Sequence, residues 1–399
     1  MWRVCLISLC VVMKLWAEEG ERVYAGTALE KSRPPQLETD EAPTIDRAIN
    51  NASRMPVLKL LRGAHGFRPK IGSPVLSSGP AGGIEYRAGD PWDGQVLLRT
   101  SGRISVRRYI HTDAELALPR LAGGRIFVDA LATYRDYPQL RYFGQGQNSG
   151  RSNESNFRLK SSKVELSSGI RPVRILRLGL TGGYERADTL AGTSSEYPSI
   201  ELQFPPRTVP GFALRNEFAT TGAFAEVDYT DQKTSPRRGG IYSARLNNYV
   251  DQNFGRYSFR RLDVDLRQFV QFFNEQRVIA LRAHGTFSDT SRGLVPFFLQ
   301  PTLGGPETLR GFRNFRFYDN NAMFFNAEYR WKVSTGMEMA LFTDAGKVFP
   351  DRRDINLSGL LTSYGGGVRF NLRQSVFMRV DTGCGREGCQ VWLRFQDNY

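Results

Sequence analysis

From about Gly66 to the end of the chain, apolar and polar residues alternate with a period of two. Ile126, Val128, Ala130, Ala132 and Tyr134 alternate with Phe127, Asp129, Thr133 and Arg135, and Leu262, Val264 and Leu266 with Asp263, Asp265 and Arg267. Ile279, Leu281, Ala283 and Phe287 alternate with Arg282, His284 and Thr286, and Val376, Met378 and Val380 with Arg379 and Asp381. Successive side chains of a strand point to opposite faces, so each segment predicts a strand with one apolar and one often charged face. A soluble sandwich alternates in the same way. Aromatics and loop lengths separate the two. The segments run about ten residues, enough for a tilted strand to cross a bilayer, and Tyr134, Tyr184, Tyr229, Tyr329 and Trp331 stand at the apolar parity near strand ends.

Connections alternate between short and long. Leu121 to Gly124, Arg171 to Val173, Asn274 to Arg277 and Leu372 to Ser375 are short, whereas Asp136 to Ser155, Asp188 to Ala219, Ser288 to Tyr318 and Val348 to Leu361 are long. Short turns at one end and long loops at the other are expected of an outer-membrane barrel. Counting back from the C-terminus predicts an all-β fold: a transmembrane antiparallel β-barrel of about sixteen strands, an even number. The first four, before about Pro119, are the least sharply marked. The last, Gln390 to Phe395, turns Val391, Leu393 and Phe395 outward.

The N-terminus follows a different rule. Arg3, the apolar run Val4 to Met13 and Ala17 before Glu18-Glu19 have the layout of a secretory signal peptide over residues 1–17. The run is too short to span a bilayer as a helix, and beyond Ala17 no stretch approaches 18 consecutive apolar residues. Membrane-embedded structure in the mature chain must therefore be made of strands, since only helices and closed barrels satisfy their backbone groups in lipid. Residues 18–63 read as a charged periplasmic leader with Pro34-Pro35 and Pro43; Ile45, Ile49 and Ala52 at helical spacing suggest one short helix, stopped by Pro56. The barrel occupies residues 64–399. Composition agrees with export of a strand protein: 40% hydrophobic, 12% aromatic, 40 glycines and a mean hydropathy of −0.39.

Cys5 and Cys10 leave with the signal, and the remaining pair, Cys384 and Cys389, flanks Gly385-Arg386-Glu387-Gly388 in an exported chain where oxidation is permitted. A disulfide across the terminal hairpin is expected, facing hairpin positions lying about 5.5 Å apart at Cα. The formal charge of +14 falls to +12 on loss of Arg3 and Lys14. For an exported protein the counter-charge is anionic lipid, including lipopolysaccharide headgroups. No nucleic-acid-binding module is recognisable. His65, His111 and His284 fall in separate segments, so no metal site is expected, and His284 reads as solvated in the lumen. No Gly-x-Ser-x-Gly element and no His/Ser/acid arrangement for hydrolysis is present; neither an enzyme nor a cofactor is implied.

One long loop is unlike the others. It is Gly-rich, has no strand pattern, and contains the run Leu299 to Phe312 with Gly304-Gly305 and Arg310-Gly311-Phe312. Loops of this length are functional or disordered. Two strands follow, Asn320 to Trp331 and Met337 to Val348. By parity Met323, Phe325, Ala327, Tyr329 and Trp331 face lipid, which turns Asn326, Glu328 and Arg330 inward, with Asp344 inward beside Phe342 on the next strand. Glu328 and Asp344 thus form an acidic pair on one interior wall that a loop arginine suits, since a guanidinium can bridge two carboxylates. Gly311 would let the backbone approach the wall and Phe312 would fill the gap.

Gly304-Gly305, Arg310-Gly311-Phe312, Asn326-Ala327-Glu328-Tyr329-Arg330 and Phe342-Thr343-Asp344-Ala345-Gly346, in that order, resemble the successive motifs of the BamA/TamA bacterial surface-antigen superfamily of outer-membrane assembly factors. The resemblance implies a sixteen-stranded barrel with its sixth extracellular loop tucked inside, Arg310 being the tip cation and Glu328 and Asp344 its partners. It also implies a weak seam between first and last strands, with client outer-membrane proteins as partners. Residues 18–61 are too short for even one of the POTRA domains through which members recruit clients, so a barrel-only member is expected. The implied function is insertion or translocation of protein or lipid at the outer membrane. The competing readings are a passive porin or solute channel and a soluble sandwich. Conductance in planar bilayers separates the first, cell fractionation the second.

Overall fold

The structure is a computed structural model that describes residues 65–395 apart from 89–94, 274–275, 291–292, 335 and 373–374. The expected signal peptide and leader helix lie outside the described residues. Strands run β1 (Phe67–Ile71), β2 (Ala81–Arg87), β3 (Leu97–Ser105), β4 (Ile110–Arg120), β5 (Ile126–Tyr142), β6 (Ser155–Val173), β7 (Leu176–Ala191), β8 (Arg215–Asp228) and β9 (Gly239–Asp251). They continue as β10 (Phe259–Phe272), β11 (Arg277–Ser288), β12 (Thr302–Leu303), β13 (Phe317–Tyr318), β14 (Asn321–Ser334), β15 (Met337–Phe349), β16 (Leu361–Leu372), β17 (Ser375–Gly385) and β18 (Gly388–Phe395). Sixteen of them form one antiparallel sheet in chain order, while β12 and β13 form a separate two-stranded ribbon within the connection from β11 to β14. The all-β barrel of sixteen strands read from the alternation is the fold observed.

The alternation places the wall as expected. On β18, Val391 and Leu393 are exposed on the outer face while Trp392 between them is buried. On β14, Glu328 and Arg330 are buried, and Phe325 is exposed. Met323 departs from the expected lipid-facing set, being 6% exposed. It faces Lys347 in register, and Lys347 Nζ donates to Asn356 Oδ1 at 2.8 Å, so the β15–β16 loop covers this part of the outer face.

Strand length varies around the wall. β5, β6 and β7 have 17, 19 and 16 residues, more than a bilayer requires. Asp136 to Tyr142, expected in a loop, therefore continue β5, and Arg171 to Val173 belong to β6 rather than to its turn. Tyr134 and Tyr184 consequently stand mid-strand. Beyond them the outer face becomes charged: Arg158 pairs with Asp136 at 2.7 Å and Arg215 with Asp188 at 3.0 Å. The tyrosines mark the outer membrane interface, where amphipathic rings belong, and the strands extend past it.

The first four strands are present and lengthen in order, with five, seven, nine and eleven residues. Among the described residues no ladder joins β1 to β18, the two ends of the sheet. They approach at one corner, where a Cβ on Gly72 would lie 3.6 Å from the carbonyl oxygen of Phe395.

At the long-loop end, Tyr109, Tyr142, Phe157, Ile200, Val209, Phe297 and Tyr318 form a buried cluster. It joins five connections or strand ends into one cap. Burial pushes the Tyr318 phenol well above its usual pKa, keeping it a donor, and it donates to the Arg141 carbonyl at 2.9 Å.

Candidate functional site

The β11–β14 loop folds back on itself before it meets the wall. Gly304 and Gly305 have φ of 108° and 101°, a region that side-chain-bearing residues rarely adopt. The turn is closed by Gly304 N donating to Thr308 Oγ1 at 2.9 Å and Gly305 N to the Phe312 carbonyl at 3.1 Å. The sequence predicts a loop with no strand pattern, but the structure departs from that, since Leu303 pairs with Phe317 in the β12–β13 ribbon. Leu303, Leu309, Phe312 and Phe317 are buried with Ala322, Phe324, Val348 and Leu361 of the wall. Gly346 makes room for Leu303, whose Cδ1 would stand 3.2 Å from a Cβ there.

This packing delivers Arg310 to the inner wall. Its Nη2 donates to Asp344 Oδ1 at 2.6 Å, its backbone N to Asp344 Oδ2 at 3.0 Å, and its Nη1 to Glu328 Oε2 at 2.7 Å. In register Glu328 faces Phe342, and Asp344 faces Asn326. The acids are diagonal neighbours, and the guanidinium carbon sits 3.3 Å above the Phe342 ring between them. The π face adds attraction to the two ion pairs. Asp344 also accepts from Asn326 Nδ2 at 2.8 Å and Ser363 Oγ at 3.0 Å.

Two close approaches seat the loop tip. A Cβ on Gly311 would lie 2.6 Å from the backbone of Cys384 and Gly385, and one on Gly383 would lie 2.6 Å from the backbone of Arg310. Two glycines are stacked where no side chain fits. Trp392 Nε1 donates to the Arg310 carbonyl at 2.7 Å, and Arg394 pairs with Glu307. The final strand, which has no ladder on its outer edge among the described residues, is thus held from inside by the loop.

The sequence reading brought Arg310, Glu328 and Asp344 together but described the wall as acidic. In the structure Glu328 also accepts from Arg330 Nε at 2.6 Å, Arg369 Nη2 at 2.5 Å and Arg379 Nη2 at 3.2 Å. Arg379 Nε in turn donates to Asp381 at 2.5 Å. One carboxylate is therefore the hub of four arginines. Arg379 could have been found, since it holds the inward parity of its strand; Arg369 lies on a Gly-rich strand where parity is harder to read. His284 is not simply solvated. Its ring stacks on Phe324 at 4.9 Å, and Nε2 lies 3.2 Å from Thr286 Oγ1. No grouping of His, Cys, Asp and Glu suited to a metal occurs among the described residues.

Cys384 and Cys389 face each other in register and are bonded, with Cα atoms 4.0 Å apart. That separation is nearer the close, non-hydrogen-bonded type of pair than the wider pair expected. Thiol labelling of denatured, unreduced protein is expected to leave Cys384 and Cys389 unlabelled; labelling of both would refute the bridge.

The Omp85 superfamily domain matches residues 116–375. The chain belongs to the Omp85 superfamily. Solved structures agree on the fold. BamA from Haemophilus ducreyi lacking POTRA domains 1–3 is 13% identical with a TM-score of 0.59, over 84% of this chain and 69% of that one. CdiB from Escherichia coli is 17% identical with a TM-score of 0.56, over 82% of this chain and 62% of that one. CdiB from Acinetobacter baumannii is 12% identical with a TM-score of 0.51, over 82% of this chain and 58% of that one. The chain thus spans roughly six- to seven-tenths of the length of these neighbours. No curated protein matches the sequence. As an Omp85 barrel the protein resides in the bacterial outer membrane.

Proposed function

We propose that this Omp85 barrel acts in the insertion or translocation of protein, or of lipid, at the outer membrane, using the junction of β1 and β18 as a lateral seam. The observation that carries the reading is the pair of sheet ends without a shared ladder among the described residues, one of them braced by Arg310 and Glu307 of the inward loop. An unpaired strand edge is a template for an incoming strand. Bracing β18 from within would keep that strand ordered at the junction where a client strand would pair.

The reading needs no cofactor and no catalytic group. Client outer-membrane proteins are the proposed partners, and the basic balance of the chain suits the anionic headgroups of the surrounding lipid, lipopolysaccharide included. The aromatic cap over the long-loop end weighs against free passage of solutes. The test is the folding rate of a second, urea-unfolded barrel protein added to liposomes. Vesicles carrying the reconstituted protein should fold it faster than empty ones. Equal rates, together with large and steady solute-permeable steps in planar bilayers, would replace this reading with a channel.

A further inference from the structure

The inner wall of β1–β5 carries a second charged cluster, which makes no hydrogen bond or ion pair with the β11–β14 loop among the described residues. Register places its members in a row. Lys70 faces Gly83, Gly83 faces Arg103, Arg103 faces His111 and His111 faces Arg135. The row spans four strand spacings, about 19 Å at ~4.8 Å each. At Gly83 a Cβ would stand 2.8 Å from Arg103 Cγ, so the Arg103 side chain lies across the glycine on the Lys70 side.

The acids nearby already face other cations, and Asp113 Oδ1 also lies 3.6 Å from His111 Nε2 of the row. Asp113 accepts from Ser101 Oγ at 2.6 Å and pairs with Arg99 at 3.1 Å. Glu85 pairs with Arg87 at 2.6 Å, Lys70 at 3.4 Å and Arg99 at 3.6 Å. Arg103 and Arg135 have neither a hydrogen-bond nor an ion-pair partner among the described residues, and their Nε atoms are buried and unsatisfied. His111 stands between them, its Nδ1 2.7 Å from the Tyr137 hydroxyl. Tyr137 belongs to the aromatic cap, so the row lies directly beneath it. A buried donor left unmade costs free energy, and two guanidiniums in this condition on one wall point to an anionic partner.

We propose that this row is a binding site inside the barrel for an acidic stretch of extended polypeptide, whose carboxylates pair with Arg103 and Arg135. The proposal rests on the reading that the barrel handles polypeptide. A row about 19 Å long suits a string of carboxylates, because an extended hexapeptide covers about 20 Å. A single small anion would need the two guanidiniums to converge, whereas they project from strands two apart.

The test is fluorescence anisotropy of fluorescein-labelled hexaglutamate with the full chain, purified in detergent. The peptide should bind, and added salt should weaken it. Arg103→Gln and Arg135→Gln should each weaken binding about tenfold, as loss of a charge-assisted hydrogen bond implies, and the double variant should weaken it further. Arg207→Gln/Arg353→Gln, which removes the same charge from exposed loop positions, should bind as the parent does. Heat-modifiable gel migration checks that each variant is a folded barrel; if the double variant fails that check, the single ones decide. The site is overturned if the parent does not bind hexaglutamate, if hexalysine binds equally, or if both single variants bind like the parent. Binding of inorganic phosphate without hexaglutamate would make it a small-anion site and overturn the polypeptide assignment. No folding step enters this measurement, so peptide binding with a failed liposome assay would refute only the proposed function.

Discussion

Glu328→Gln is expected to destabilise the barrel more than any other single change at the loop contact. Glu328 is 7% exposed and is shared by Arg310, Arg330, Arg369 and Arg379. Glutamine keeps the shape but removes the charge and turns an amide donor toward guanidiniums that are themselves donors. Asp344 still answers Arg310 and Asp381 still answers Arg379, yet four cations then face two acids where three stood before. Removing one member of a buried ionic group costs roughly 3–5 kcal/mol, a large part of the roughly 5–15 kcal/mol that holds a domain folded. The measurement is the temperature at which the folded, fast-migrating form on a denaturing gel is lost. It should fall well below that of the parent, and less protein should accumulate in the outer membrane. Glu328→Asp, which keeps the charge at a shorter reach, should fall between the two. If Glu328→Gln melts with the parent, the arginines stand without their shared acid and the hub is an incidental cluster.

The hub also shows where a sequence can be read and where it cannot. Alternation fixes which side of the wall a residue occupies, so the inward placement of Glu328, Asp344 and Arg379 follows from a count by twos. It does not fix which inward residues meet. Arg369 and Arg379 reach Glu328 from β16 and β17, two and three strands away, and that encounter depends on shear and on side-chain reach. Strand ends are equally hidden from periodicity: β5 runs on to Tyr142 because pairing with β6 continues past the lipid boundary, where polar residues no longer reveal a loop. The stacked glycines Gly311 and Gly383 are a contact between a loop tip and a strand far apart in the chain. Gly311 is marked by the Arg-Gly-Phe run around it, whereas Gly383 looks like any other glycine in a chain holding 40. Of the two arginines of the β3–β5 wall that lack a partner among the described residues, only Arg135 stands out in the sequence, at the charged parity of its strand, and pairing is a property of neighbours that the sequence does not list.

Loop retention gives the last prediction, and two unrelated substitutions should produce it. Arg310→Ala removes both ion pairs of the loop tip with the wall acids Glu328 and Asp344. Asp344, 1% exposed, keeps Asn326, Ser363 and the backbone N of residue 310 as donors, and Glu328 keeps three arginines. The cost should therefore lie at or below the lower end of the roughly 3–5 kcal/mol for breaking a buried pair. The outer face and the strand ladders are untouched, so the variant should reach the outer membrane as a barrel. Gly311→Ala leaves every charge in place but sets a Cβ 2.6 Å from the backbone of Cys384 and Gly385, and backbone within a paired hairpin cannot give way as a side chain would. It should eject the same tip by steric means. Both variants should expose the β11–β14 loop to external protease and should lose the acceleration of client folding in liposomes. Asp344→Arg should act likewise, by setting two cations face to face, and exchanging the two residues should recover part of the protection. If Arg310→Ala and Gly311→Ala are both as protease-resistant and as active as the parent, the loop is retained by its other contacts, and the Arg310 ion pairs and the close approach at Gly311 are not what braces the last strand.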